Sequence, residues 1–266
     1  MKNVYITGSN GFIGSNLKKK LFDVTGIKHQ DIYTTYLEPF NRFFFCSTYG
    51  NMANHQDDAT TVKANVFDLA HVLFKIKDFG FDSFVYISTS SVKRPVQTMY
   101  SRAKKMAEEL LLGFMDKYQL PICIIRPLSV TGVGEQKEHL IPKLIDSCLN
   151  GTRMDFVEDP RHDFIDVEDF VDGVIALSER HARGVFELGN GHSYSNRDVL
   201  EIVERVTGKK ANLNIVKVMR KYDTKSDDWV STDTKARDFG WKPAKDLELS
   251  ITEMVNEASH HSISIC

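Results

Sequence analysis

Three glycines at a fixed spacing, Gly8, Gly11 and Gly14, constrain this 266-residue chain more than any other feature. Val4, Tyr5 and Ile6 form a short apolar, β-favouring run ahead of them, and a helix is expected to begin near Phe12. A strand that delivers glycines to a helix N-terminus makes an anion site. Gly8 can take positive φ in the turn, and Gly11 lets a pyrophosphate approach the backbone. Gly14 lets the helix pack closely on the strand. The segment also supplies Asn10 and the first helical N–H groups, near Phe12 and Ile13, with the helix dipole behind them. Three glycines alone fit a turn without a ligand equally well. A strand before and a helix after them favour a dinucleotide site.

Composition narrows the classes further. A formal net charge of −2 with 26% charged residues gives no electrostatic case for nucleic acid or for an anionic membrane. The four cysteines, at 46, 123, 148 and 266, show neither C-x-x-C nor metal-ligand spacing, so reduced thiols and no metal are expected. Met1-Lys2-Asn3 leads straight into the first strand and leaves no room for a signal peptide. No apolar run approaches the ~20 residues of a membrane span. These observations set the expectation of a soluble cytoplasmic protein.

Strands alternate with helices along the first half, which predicts an α/β fold with a parallel doubly wound sheet. After the helix Phe12 to Phe22, the β-branched and aromatic run Asp31-Ile32-Tyr33-Thr34-Thr35-Tyr36 reads as the second strand. A residue at the end of that strand handles the adenosine ribose, an acid selecting a free 2′-OH and a nearby Arg a 2′-phosphate. With Glu38 and Arg42 both a little beyond, NAD and NADP stay open. The next strand, Arg42 to Ser47, follows almost at once. A usual unit places a helix, a strand and another helix before it, so the sheet is expected to be trimmed on its adenosine side. Further elements are a helix over 62–79, a strand over 84–87, a helix over 100–118 and a strand over 122–125. Beyond Gly132 come a helix over 140–150, a short strand over 163–167, a helix over 168–177 and a strand over 184–188. Ser195 is expected to cap a helix over 196–206, with Asp198 as the reciprocal partner. A dinucleotide-binding domain over 1–130 plus about 164–190 follows from this pattern, with a smaller lobe over about 131–163 plus 191–266.

Tyr100 and Lys104 are four apart and share one helix face. An ammonium beside a phenol stabilises phenolate and lowers the tyrosine pKa from about 10. A phenol so tuned exchanges a proton with a substrate hydroxyl or carbonyl. Thr89, just past a neighbouring strand, could hydrogen-bond the same substrate oxygen, because open α/β sheets bind ligands at strand carboxyl ends. Taken alone, Tyr-x-x-x-Lys also fits an exposed helix with a snorkelling lysine.

At this point the chain resembles the extended short-chain dehydrogenase/reductases that modify nucleotide sugars. Thr7-Gly8-Ser9-Asn10-Gly11-Phe12-Ile13-Gly14 is similar to that family's T-G-x-x-G-x-x-G, and Ser88-Thr89-Ser90-Ser91-Val92 to its strand-end segment. Tyr100 and Lys104 match its Y-x-x-x-K, Asn65-Val66 its N-V, and Arg126-Pro127 its R-P. Asp163 to Asp169 resembles R-D-F-I-x-V-x-D without the arginine in register, and Phe239-Gly240-Trp241-Lys242-Pro243 resembles L-G-W-x-P. The resemblance implies that Tyr100 is the acid/base and that Thr89 positions the reacting oxygen. Lys104 would lower the phenol's pKa and hold the nicotinamide ribose. It adds Cys46, Ser47 and Ser88, at strand ends, to the cofactor-binding candidates. For the substrate it implies Ser90, Ser129, Arg161 and Arg220, with the diphosphate of a nucleotide sugar in the C-terminal lobe. It also implies a homodimer through the helices near 62–79 and 100–118; the spacing of Met106, Leu110 and Phe114 fits such an interface and equally fits packing on the sheet.

Departures from the family narrow the chemistry. Ser90-Ser91 stand where its 4,6-dehydratases carry an Asp-Glu pair, so dehydration is not expected. His162 stands where the arginine usually lies, and Ser129 where many members have a sugar-contacting Asn. A 4-ketoreductase and a 4-epimerase remain, with a non-catalytic dinucleotide sensor as the third reading. The trimmed adenosine side, with its weaker grip on a cofactor, favours the reductase.

Overall fold

A computed structural model of the chain describes residues 3–51, 57–217 and 229–263. The elements run β1 (Val4–Thr7), α1 (Phe12–Lys20), β2 (Val24–Ile27), β3 (Arg42–Phe45), α2 (Asp58–Val62), a π-helical turn (Lys63–Phe67), α3 (Asp68–Ile76), β4 (Ser83–Ile87), α4 (Met99–Tyr118) and β5 (Ile122–Pro127). There follow β6 (Ser129–Thr131), α5 (Leu140–Asn150), β7 (Met154–Phe156), β8 (Arg161–His162), β9 (Phe164–Asp166), α6 (Val167–Glu179), β10 (Gly184–Leu188), β11 (Tyr194–Ser195), α7 (Asn196–Thr207), β12 (Leu213–Ile215), α8 (Lys235–Asp238) and α9 (Leu247–Ile263).

The chain divides into two compact units. The first comprises Met1–Pro127, Val171–Glu187 and Asp233–Trp241. The second comprises Leu128–Phe170, Leu188–Thr232 and Lys242–Cys266. Asp233–Trp241 therefore counts with the first unit, although the sequence pattern puts it in the lobe. In the first unit a six-stranded sheet runs in the order β10-β5-β4-β3-β1-β2. The pairs from β2 across to β5 are parallel. Its central strands are buried on both faces, as parallel strands covered by helices must be. An aromatic cluster of Tyr5, Phe40, Phe43 and Phe84 fills one face.

One strand is not where the pattern puts it. Asp31–Tyr36 forms turns rather than β2, with the Thr35 hydroxyl donating to the Asp31 carbonyl at 2.7 Å. The second strand is Val24–Ile27, which pairs with β1 in the register Thr7↔Ile27. It carries a glycine because Ser9 needs the room. A Cβ on Gly26 would lie 2.4 Å from the Ser9 hydroxyl. Since β3 pairs directly with β1, β2 ends the sheet, so among the described residues no strand lies beyond it on the adenosine side. The segment after β2 covers that side instead, with Ile32, Leu37 and Phe40 packed into the core. Arg42 opens β3, as the sequence indicates, opposite Val4 at the amino end of the sheet, where it pairs with Glu179 at 3.1 Å.

In the second unit α5, α7 and α9 enclose a separate apolar core around Leu144, Val199 and Ile251. The capping box at α7 forms as the sequence indicates, the Ser195 hydroxyl accepting from Asp198 N–H and Asp198 from Ser195 N–H. Among the described residues no helix is long and apolar enough to cross a membrane.

Candidate active site

The glycine turn has the geometry its sequence demands. Gly8 sits at φ +65°, and the Gly11 N–H donates to its carbonyl at 2.9 Å. A Cβ on Gly14 would stand 2.2 Å from the Gly8 carbonyl oxygen, so α1 can lie this close to the turn only as glycine. A Cβ on Gly8 would come 2.9 Å from Ser47 N. The Thr7 hydroxyl accepts from the N–H groups of Cys46 and Ser47, both at 3.1 Å, and ties the carboxyl end of β1 to that of β3. The first N–H groups of α1, at Phe12 and Ile13, have no side-chain cap. This cradle fits the pyrophosphate of a dinucleotide, because it offers unfilled donors and no Cβ where phosphate must approach.

Thr89 follows β4, and Tyr100 and Lys104 rise from the first turns of α4. Thr98 fixes the start of that helix by accepting from the Ser101 N–H at 3.2 Å. The Tyr100 hydroxyl is hydrogen-bonded by two hydroxyls, Thr48 and Thr89. Thr89 in turn accepts from Ser91 N–H and shares a 2.9 Å bond with the Ser91 hydroxyl. Lys104 is 1% exposed and donates to the Ile87 carbonyl at 2.8 Å. Its ammonium lies 4.6 Å from the Tyr86 ring centre and 5.9 Å from that of Tyr100.

The electrostatics correct one expectation. Burial pushes the Tyr100 phenol up to about 12, against the two hydroxyl bonds that favour phenolate. Burial likewise pushes Lys104 down to about 7, opposed by Cys46 and Glu108. Burial thus outweighs any lowering of the phenol's pKa by Lys104. Burial likewise raises the Cys46 thiol to about 12, opposed by Lys104.

Four residues that support the site were not singled out as site residues. Asn65 is fully buried in the π-helical turn, where its amide donates to the carbonyls of Tyr49 and Thr61 and its oxygen accepts from Thr48 at 2.8 Å. Thr48 thus links that turn to the phenol. Glu108, one turn beyond Lys104, accepts from Ser88 and binds Arg126 through two bonds of 3.0 and 2.6 Å. Glu108 was legible as the next step of the series 100, 104, 108. Thr48 and Asn65 meet only through tertiary structure.

Of the sequence candidates, the glycine turn, Cys46, Ser47, Ser88, Thr89, Ser90, Tyr100 and Lys104 all belong to the first unit. Ser90 is buried in the turn after Thr89. Ser129 and Arg161 belong to the second unit. Ser129 opens β6 and donates its N–H to Asp163, and Arg161 donates to the hydroxyl and carbonyl of Ser193. Arg220 lies outside the described residues.

The chain is similar to several known proteins. The Haloferax volcanii protein described as low-salt glycan biosynthesis protein Agl12 is 25% identical over 92% of this chain and 95% of its own length. A UDP-glucuronate 4-epimerase of Thermodesulfobacterium geofontis is 26% identical over 78% of this chain and 68% of its own. The solved UDP-N-acetylglucosamine 4-epimerase from Methanobrevibacter ruminantium, in complex with UDP-N-acetylmuramic acid, shares the fold with a TM-score of 0.89 at 20% identity. That match covers 98% of this chain and 99% of the other. RMD from Pseudomonas aeruginosa, complexed with NADPH, matches with a TM-score of 0.81 at 18% identity over 98% of this chain and 100% of its own. Residues 45–189, more than half of the sequence, match the family profile, and the chain belongs to the NAD dependent epimerase/dehydratase family.

Proposed function

We propose that this protein is an NAD(P)-dependent 4-ketoreductase of nucleotide sugars. The constellation of Tyr100, Thr89 and Lys104 at the carboxyl ends of the sheet, beside the glycine turn, carries the reading. A bound nicotinamide supplies or accepts the hydride equivalent. The chain's own residues do the rest. Thr89 and Tyr100 hold the substrate oxygen, and the phenolic proton passes from Tyr100 to it as the carbonyl becomes a hydroxyl. A phenol near 12 is fully protonated at neutral pH, the state a proton donor needs. Binding an anionic cofactor favours the charged form of Lys104, which then stabilises the phenolate left behind.

Ser90 and Ser91, the residues after Thr89, offer no carboxylate to protonate a leaving hydroxide, so dehydration is disfavoured. Reduction is favoured over epimerisation by the end of the sheet at β2, where a non-strand segment rather than a further strand borders the adenosine side and the grip on a cofactor is weaker. A reductase must release its oxidised cofactor at each turnover, whereas an epimerase gains from never releasing it. The epimerase is the second reading, supported by the relatives described as 4-epimerases. Ser129, in the second unit, is the sugar contact that the family resemblance suggests.

Absorbance and mass measurements on denatured, freshly purified protein separate the two. An empty protein that oxidises NADPH or NADH when given a 4-keto nucleotide sugar supports the reductase. Stoichiometric co-purified dinucleotide with interconversion of 4-hydroxy epimers overturns it in favour of the epimerase.

A further inference from the structure

The displaced second strand changes what stands at the adenosine ribose. In a parallel dinucleotide-binding sheet, the residue just beyond the second strand faces the 2′ position of that ribose. An acid there accepts from a free 2′-OH, and a base accommodates a 2′-phosphate. If the strand were Asp31–Tyr36, that residue would come from the neighbourhood of Glu38 and Arg42. With β2 at Val24–Ile27 and Thr7 opposite Ile27, it is Lys28, level with Gly8 where the glycine turn begins.

We infer that Lys28 selects NADP(H) over NAD(H) by binding the 2′-phosphate, an inference that rests on the dinucleotide site proposed above. Four observations support it. From Gly26 to Gln30 the chain carries no carboxylate, and Asp31 comes only at the end of a 3₁₀ turn that closes on the Lys28 carbonyl. His29, the next candidate, is held away by Asp68 at 3.0 Å. Lys28 is exposed, with no ion pair to a described residue, so binding a phosphate breaks no existing contact. Ser9 packs against Gly26, which puts a hydroxyl between the glycine turn and the same strand end. Arg42, the other nearby base, is excluded by its place at the amino end of β3.

Titration of the purified wild-type protein with NADPH and NADH, followed by nicotinamide fluorescence or calorimetry, tests it without any substrate. NADPH is expected to bind about tenfold or more tightly than NADH, as a charge-assisted hydrogen bond implies. Adenosine 2′,5′-bisphosphate should displace it where 5′-AMP does not. The Lys28→Gln variant should lose the preference with its NADH affinity and melting temperature unchanged. Equal binding, or tighter NADH binding, overturns the inference while leaving the dinucleotide site intact. A preference that survives in Lys28→Gln also overturns it. Failure to bind either cofactor removes the proposed function together with the inference.

Discussion

At the residue scale, the proposed chemistry rests on Tyr100 and Lys104, both held in their neutral forms toward neutral pH by desolvation. Tyr100→Phe removes the phenolic proton and leaves the ring in place. Turnover is expected to fall about a hundredfold or more, and dinucleotide affinity to stay unchanged. Full activity in that variant would remove Tyr100 from the mechanism. Lys104 carries a consequence for stability. Its pKa is about 7 in the fold and 10.5 in the unfolded chain. Between these values the unfolded state binds the extra proton, so stability rises as pH rises through that interval. Below about pH 7 both states hold the proton and the rise is absent. From about pH 9 upward the thiol of Cys46, raised to about 12 in the fold, contributes in the opposite direction. The melting temperature of the cofactor-free wild type should therefore climb between about pH 7 and 9 relative to Lys104→Met. Parallel curves for the two proteins would mean that Lys104 is charged in the fold. The Tyr100–Lys104 pair was legible because four residues make one helical turn. Their pKa values were not, since burial depends on how Tyr86, Ile87 and α4 come together.

At the element scale, the turn between β1 and α1 tolerates least. A methyl group on Gly14 meets the Gly8 carbonyl oxygen at 2.2 Å, and the obstacle is backbone rather than a side chain that can turn away. Gly14→Ala is expected to cost about 1–3 kcal/mol, read as a lower denaturation midpoint, and to weaken binding of both NADH and NADPH. Wild-type stability and binding would show that α1 can move off the turn. This element was legible in the sequence because its glycines each answer a local steric demand. The second strand was not. Asp31–Tyr36 has better β-formers than Val24–Ile27, yet pairing with β1 decides the matter. The polar side chains of the misread segment also have another use. Tyr33 donates to the buried Asp68 at 2.7 Å, and Lys63 and His29 pair with the same carboxylate. These contacts hold the segment against the start of α3, and no local pattern announces them.

At the scale of the whole molecule, the question is what covers the outer faces of α3 and α4. Phe67 and Phe74 stand 60% and 59% exposed, seven residues apart and so on one face, two turns apart. Met99 and Met106 repeat the spacing on α4 at 40% and 52%. Of the three side chains the sequence suggested for an interface, only Met106 is available. Phe114 is buried, and Leu110 packs against the same core. Large apolar side chains exposed along helix faces mark an interaction surface. Two helices presenting it suit a self-complementary contact across a two-fold axis, in which the same four side chains meet their own copies. The protein is therefore expected to be a homodimer at micromolar concentration, measured as mass by light scattering. Phe67→Lys with Met106→Lys puts like charges into that contact and should yield a monomer with an unchanged melting profile at high dilution. Neither residue supports the core, so loss of the dimer would report on the surface itself. A wild-type protein that stays monomeric as its concentration rises would assign the stripe to another partner.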